Sequence, residues 1–222
     1  MTTLNEWFEK GIPAQEFVSS MKVHKENLQS IQDGFSISAE DQGFFDALKK
    51  KELRVIVITE DWCGDAMMNI PILLNISEVA NIETRMVLRD QNLELMDQYL
   101  TNGTSRSIPI FIFIDKDGEE KAVWGPRAPK VQEFVMELRS DLPAKDDERF
   151  EAEQKAVFKK ITAAFAEEKH LWDEVYSSIK EGNIGELLIA GVSLLVMSLT
   201  GGKPIMEFIG LFQNTDCNLT GW

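Results

Sequence analysis

A single sulfur stands where two would make a redox pair. The segment Trp62-Cys63-Gly64-Asp65-Ala66 follows the apolar run Val55–Ile58, which places a cysteine between a predicted strand and the first turn of a predicted helix. At such a junction the unpaired backbone N–H groups and the positive end of the helix dipole favour thiolate over thiol. Glu60, Asp61 and Asp65 press the other way, because nearby negative charge raises a thiol pKa. Residue types alone do not rank these opposing influences. Gly64 leaves the approach to the sulfur free of a side chain, and Trp62 supplies a flat apolar shield. A lone thiol can attack a disulfide but cannot close an internal one, so Ala66 restricts the motif to monothiol chemistry. The competing reading is that Cys63 is a small buried hydrophobe, the usual fate of an unpaired cysteine.

The elements that must position this sulfur follow from periodicity. Val55–Ile58 is a continuous β-branched run, which suits a strand covered on both faces. Ala66–Val79 reads as a helix containing Pro71, Thr84–Leu88 as a strand, and Leu93–Leu100 as a helix closed by Asn102-Gly103. Pro109–Ile114, the turn Asp115–Gly118 and Lys121–Trp124 read as an antiparallel hairpin, with a helix over Lys130–Ser140 behind it. The order is β-α-β-α-β-β-α. Ahead of it, residues 1–50 read as helical, with Pro13 at a first helical position and Phe17, Met21, Leu28 and Ile31 near helical spacing. Ser38-Ala39-Glu40-Asp41 has a capping-box pattern before Phe44, Phe45 and Leu48. Residues 144–180 are charged and helical in pattern. From residue 181 onward only Glu181, Glu186, Lys203, Glu207 and Asp216 are charged, and the uncharged run Leu187–Gly202 is shorter than the roughly 20 residues a membrane span needs.

Composition narrows the partners. The chain has 222 residues, 44% of them hydrophobic, and a net charge of −14. That length suits one domain with an accessory segment. An acidic surface repels nucleic-acid phosphates and anionic lipid, so neither is expected as a partner. Glu6, Glu9 and Lys10 break any basic-then-apolar leader, and Cys63 and Cys217 are too far apart to suggest a disulfide framework. A cytoplasmic location is the expectation. His24 and His170 lie in solvated helical stretches without a second ligand three or four residues away, and Asp115, Asp117 and Gly118 lack the closing glutamate of a calcium loop. No metal or cofactor is expected.

Trp62-Cys63-Gly64 after a strand, Pro71 eight residues past the cysteine, and Arg106-Ser107-Ile108-Pro109 before a hairpin together resemble the thioredoxin superfamily over about residues 52–140. The resemblance implies a thioredoxin-like three-layer α/β/α sandwich with a mixed central sheet. The implied organisation is a helical N-terminal extension over 1–51, the thioredoxin-like domain over 52–142, a C-terminal helical segment over 143–181 and an apolar glycine-rich tail over 182–222. Ile108-Pro109 looks like the family's loop ending in a cis-proline, which presents backbone beside the thiol for a substrate chain to pair with. Asp61-Trp62-Cys63-Gly64-Asp65 and Trp124-Gly125-Pro126-Arg127 further resemble a Firmicutes-type group of bacterial thioredoxin-like proteins. Three positions depart from the dithiol pattern. Ala66 replaces the resolving cysteine, Asp65 replaces a proline or other neutral residue, and Val57 stands where thioredoxins carry a buried proton-relaying acid. For Asp65, complementation of the helix dipole is favoured over a role in proton transfer.

The resemblance implies Cys63 as nucleophile, supported by Trp62, Gly64, Asp65, Ile108 and Pro109. A protein disulfide or a low-molecular-weight thiol would be the partner, and an external thiol would resolve the mixed disulfide, as in glutaredoxin-like mechanisms. The alternative is a redox-inactive thioredoxin-fold module that binds a protein partner through its proline loop and flanking helices. Oligomerisation through the apolar tail is a further expectation. Cys217 acting as a distal resolving thiol is the internal alternative to an external one. Resolution by an external thiol predicts that mass spectrometry after mild oxidation finds no peptide linking Cys63 to Cys217; recovery of that peptide would establish the internal route.

Overall fold

A five-stranded mixed sheet runs through the protein, in a computed structural model that describes residues 2–185 and 187. Its strands are β1 (Ile12–Pro13), β2 (Arg54–Thr59), β3 (Glu83–Leu88), β4 (Ile110–Ile114) and β5 (Glu120–Trp124), in the order β1-β3-β2-β4-β5. Only β2 and β3 are parallel, in the register Val57↔Met86, while β2 pairs antiparallel with β4 in the register Val57↔Phe111. Val57 therefore sits at the centre of the sheet with apolar neighbours on both sides. Nine α-helices are described: α1 (Leu4–Lys10), α2 (Ala14–Ser20), α3 (Lys25–Gly34), α4 (Gln42–Lys49), α5 (Gly64–Ala80), α6 (Leu93–Met96), α7 (Pro129–Arg139), α8 (Phe150–Glu167) and α9 (Lys169–Ile179).

Parallel strands need a crossover, and α5 supplies it between β2 and β3. Strand alternation sends Arg54, Ile56 and Arg85 to one face of the sheet. There both guanidinium groups lie over the Phe8 ring of α1, at 4.7 and 5.4 Å. Thr84 points to the other face, where its hydroxyl meets Ser77 of α5 at 3.0 Å. Helices α1 and α5 thus cover opposite faces, which makes the three layers of a thioredoxin-like α/β/α sandwich.

Helix α5 is apolar nearly all round, and Glu78 is its only exposed residue. A helix of this kind must be buried on every side. One side packs on the sheet, and α3, α4, α8 and α9 cover the rest. The outer helices are held by polar anchors as well as packing. The Trp172 indole N–H of α9 donates to the Phe165 carbonyl at 2.8 Å, and its ring lies against Gly34. The Tyr176 hydroxyl and Lys180 Nζ both donate to Asp41, each at 2.6 Å. The C-terminal helices are in this way fastened to the N-terminal ones across α5.

The structure departs from the sequence expectations in four places. Residues 12–13 form β1, an edge strand paired with β3, where the pattern indicated only helix; Pro13 ends that strand and precedes α2. Two residues are too few to show a period of two, and an edge tolerates a proline without its N–H. Helix α6 covers only Leu93–Met96 of the predicted Leu93–Leu100. Ser38 caps a short 3-10 turn over Ala39–Asp41, and α4 starts only after it. The helical pattern over 144–180 is taken up only from Phe150, by two helices, α8 and α9, parted at Glu168, whose ψ is 96°. Most of Leu187–Gly202, and Cys217, lie outside the described residues. Among those described, no helix is long and apolar enough to cross a membrane.

Trp172 is 4% exposed. Truncating a buried tryptophan to alanine costs about 3–5 kcal/mol, so Trp172→Ala should lower the melting temperature by on the order of 10 °C in a calorimetric scan. An unchanged melt would show that α9 does not contribute to the cooperative core.

Candidate functional site

Cys63 is the N-cap of α5, with extended backbone (φ −77°, ψ 118°). From there its Sγ accepts the Ala66 N–H at 3.4 Å and donates to the Ile108 carbonyl at 3.4 Å. The Ile108–Pro109 bond is cis. The structure therefore brings the sulfur, the helix N-terminus and the proline loop together, 45 residues apart in the chain. Gly64 starts the helix, and a Cβ on it would face Thr162 Oγ1 of α8 at 3.9 Å. Trp62 is exposed at the rim, with the Arg89 guanidinium stacked over its ring at 4.9 Å. Arg89 in turn donates to the Arg106 carbonyl at 3.2 Å, tying the rim to the proline loop.

Covering by the surrounding helices leaves Cys63 only 7% exposed. Burial, and after it the Asp65 carboxylate, push its pKa up to about 12 against the opposing pull of the Ala66 and Asp65 N–H groups and Arg127. Helix-terminus stabilisation of the thiolate is present but is outweighed, because desolvation disfavours the charged form. Of the three carboxylates close in sequence, only Asp65 bears on the sulfur. Glu60 instead accepts the Asp90 N–H at 2.8 Å, its own pKa raised by burial, and Asp61 accepts the Lys22 N–H at 3.0 Å.

Asp65 is bound by Arg127, a residue that the sequence placed in a motif but gave no role. Arg127 Nε and Nη2 donate to the two carboxylate oxygens at 2.5 and 2.7 Å, and Nη1 donates to Gln132 Oε1 of α7 at 2.8 Å. Both side chains of the ion pair are nearly buried, at 13% and 11% exposure. One helical turn on from Asp65, Asn69 Nδ2 donates to the Pro126 carbonyl at 2.9 Å. The Gly125–Pro126 bond is also cis, and Gly125 has φ +129°. A Cβ on Gly125 would lie 2.2 Å from the Pro109 carbonyl oxygen, so only glycine fits there. Trp124 completes the segment: its ring stacks on Phe111 at 4.9 Å and its indole N–H donates to Ser178 Oγ at 3.0 Å. Trp124-Gly125-Pro126-Arg127 is thus a clip that joins the first two turns of α5 to the proline loop. The sequence carries only a faint trace of it, an acid at Asp65 with no basic residue close by and an arginine after a Gly-Pro pair.

Ala66 is buried beneath the sulfur, and no second cysteine is among the described residues. No cluster of three or more His, Cys, Asp or Glu side chains suited to a metal ion occurs among them either.

This sheet order, with a helix N-terminus carrying a cysteine opposite a cis-proline, defines a thioredoxin-fold protein. A thioredoxin family model matches residues 11–143, and the chain belongs to that family. Among solved structures, a Pseudomonas aeruginosa protein of unknown function is similar at 16% identity with a TM-score of 0.55, over 82% of this chain and 99% of that one. An HIV epitope-scaffold protein is similar at 16% identity and the same TM-score of 0.55, over 81% of this chain and 98% of that one. At such identity the likeness extends to the fold alone. No curated protein matches the chain.

With a pKa near 12 rather than an ordinary value of about 8.5–9, Cys63 holds about a thousandfold or more less thiolate at neutral pH. Iodoacetamide labelling of the Cys63 peptide should therefore keep rising with pH from about 8.5 to about 12. The stabilisation from keeping the thiol neutral is whole below about 8.5 and is lost as pH climbs through that window. A labelling plateau by pH 9 would contradict the buried, protonated thiol.

Proposed function

We propose that this protein is a monothiol member of the thioredoxin family, in which Cys63 exchanges with a disulfide and an external thiol completes the cycle. The observation that supports this best is the position of Sγ between the Ala66 N–H and the Ile108 carbonyl, beside the cis bond to Pro109. The N–H remains as a donor once the sulfur has lost its proton, and the Ile108 carbonyl, released from the thiol proton, would pair with an extended substrate chain. In the first step the Cys63 thiolate attacks one sulfur of a disulfide, forming a protein–substrate disulfide and releasing the other sulfur as a thiolate. In the second, an external thiolate attacks that mixed disulfide, freeing Cys63 and leaving the substrate sulfur bonded to the external thiol. The two residues that dithiol turnover would add, an acid at position 57 and a cysteine at position 66, are valine and alanine here.

Trp62, Gly64 and Asp65 frame the sulfur, and Ile108 and Pro109 form the platform. The paired motifs around Cys63 and Trp124 support placement among the Firmicutes-type thioredoxin-like proteins, and a cytoplasmic setting suits a cysteine that works as a free thiol.

A second reading is favoured by the 7% exposure of Cys63 and its raised pKa: a redox-inactive module that uses the same face to bind a protein. One experiment separates the two. With oxidised glutathione as the probe, the monothiol reading expects wild type and Cys217→Ser to gain one glutathione mass on the Cys63 peptide, reversible by dithiothreitol, and Cys63→Ser to gain none on that peptide. Absence of uptake at Cys63 on the folded protein, under conditions where a free peptide thiol reacts fully, would favour the binding module.

A further inference from the structure

The buried charges beside Cys63 form a closed set. Asp65 belongs to the same helix turn as the sulfur, and Arg127 comes from the clip between β5 and α7. Arg139 of α7 faces this pair, its own pKa lowered by burial and by Arg127. Helix α8 presents the neutral Thr162 at Gly64, and α3 presents the neutral Asn27, whose Nδ2 donates to Met67 Sδ at 3.4 Å. Glu60 and Asp61 are engaged by backbone N–H groups, and Arg89 sits outside on Trp62. One carboxylate and one guanidinium therefore decide the local field at the sulfur, and neither is screened by solvent as a surface pair would be.

The guanidinium is also fixed independently of the carboxylate. Gln132 holds Nη1 from α7, while the Asn69 bond to Pro126 and the contact between Gly125 and Pro109 fix the backbone that carries it. Removing the charge of Asp65 would leave a buried cation without its counter-charge, and after Asp65 the group able to become an anion whose field bears on Arg127 is Cys63. A buried guanidinium has a strong demand for such a partner.

We propose that Arg127 is a positioning residue held in reserve as the counter-ion of the Cys63 thiolate, and that the Asp65 carboxylate, by occupying that guanidinium, adds to burial in keeping the sulfur protonated at rest. The inference deepens the monothiol reading and rests on it for its use, since a thiol restrained in this way is activated by withdrawal of the carboxylate rather than by a change at the sulfur. The ionisation is a simple proton loss to solvent, and no oxidant enters it.

The test is the pH midpoint of iodoacetamide labelling at Cys63, read by mass spectrometry on the Cys63 peptide of the full chain so that Cys217 does not contribute. Asp65→Asn should lower the midpoint by about one pH unit or more, equivalent to about tenfold more thiolate at neutral pH. The double variant Asp65→Asn/Arg127→Gln should give back a large part of that fall, because the reserved cation is gone. An unchanged midpoint in Asp65→Asn, or equal midpoints in the single and double variants, would overturn the proposal. Should Asp65→Asn fail to fold around its unpaired guanidinium, Asp65→Asn/Arg127→Lys compared with Asp65→Asn/Arg127→Gln carries the same test. The lysine form should label at lower pH, and equal midpoints would overturn it. These midpoints do not depend on disulfide uptake, so a protein that takes up no glutathione would sink the monothiol reading while leaving the charge coupling to be judged separately.

Discussion

The need to bury α5 on every side shapes most of this molecule. Apart from Glu78 its surface is apolar or engaged, so the sheet alone cannot satisfy it and further helices must close over it. The N-terminal helices α3 and α4 and the C-terminal helices α8 and α9 serve that purpose. Each fully buried Ile, Leu or Met on α5 contributes about 1.5–3 kcal/mol, which makes the covering helices an integral part of the fold. The polar anchors at Asp41, Ser178 and the Phe165 carbonyl then select one arrangement among those that would satisfy the apolar surface.

The state of the candidate site follows from the same constraint. Cys63 stands at the end of α5, so whatever encloses the helix also desolvates the sulfur. A helix N-terminus by itself would lower a thiol pKa, but the field of a few N–H groups does not offset loss of water together with an adjacent carboxylate. The result keeps the contacts of a nucleophile and the protonation of a resting thiol. The clip at Trp124–Arg127 adds a second influence, because it supplies a buried cation and at the same time commits that cation to Asp65.

Much of the site was legible in the residues. The strand–Trp-Cys-Gly–helix junction, Pro71 within the helix and Ile108-Pro109 before the hairpin are local patterns, and the sulfur lies beside the proline loop as that order implies. Less visible were contacts that join distant segments with no local pattern. Asp65 read as a dipole complement because a first-turn acid has that role by default, yet its partner is 62 residues away. Thr162 at Gly64 and Asn69 at Pro126 belong to the same class. Strand β1 has no sequence signal for a different reason: its two residues carry no periodicity, and only its partner β3 makes it a strand.

By itself, then, the sequence determined which sulfur groups the motif holds. With one cysteine at a helix start and alanine at position 66, the motif has no second sulfur with which to close a disulfide of its own. Four of the five strands were determined in the same way, because hydrophobic periodicity and turn residues are local properties of the chain. Tertiary structure alone decided whether the sulfur is charged. A thiol's ionisation depends on how much water reaches it and on which charges stand nearby; Asp65 is local, but the burial and the Arg127 cation come from α8 and the Trp124–Arg127 clip, which are far from Cys63 in the chain.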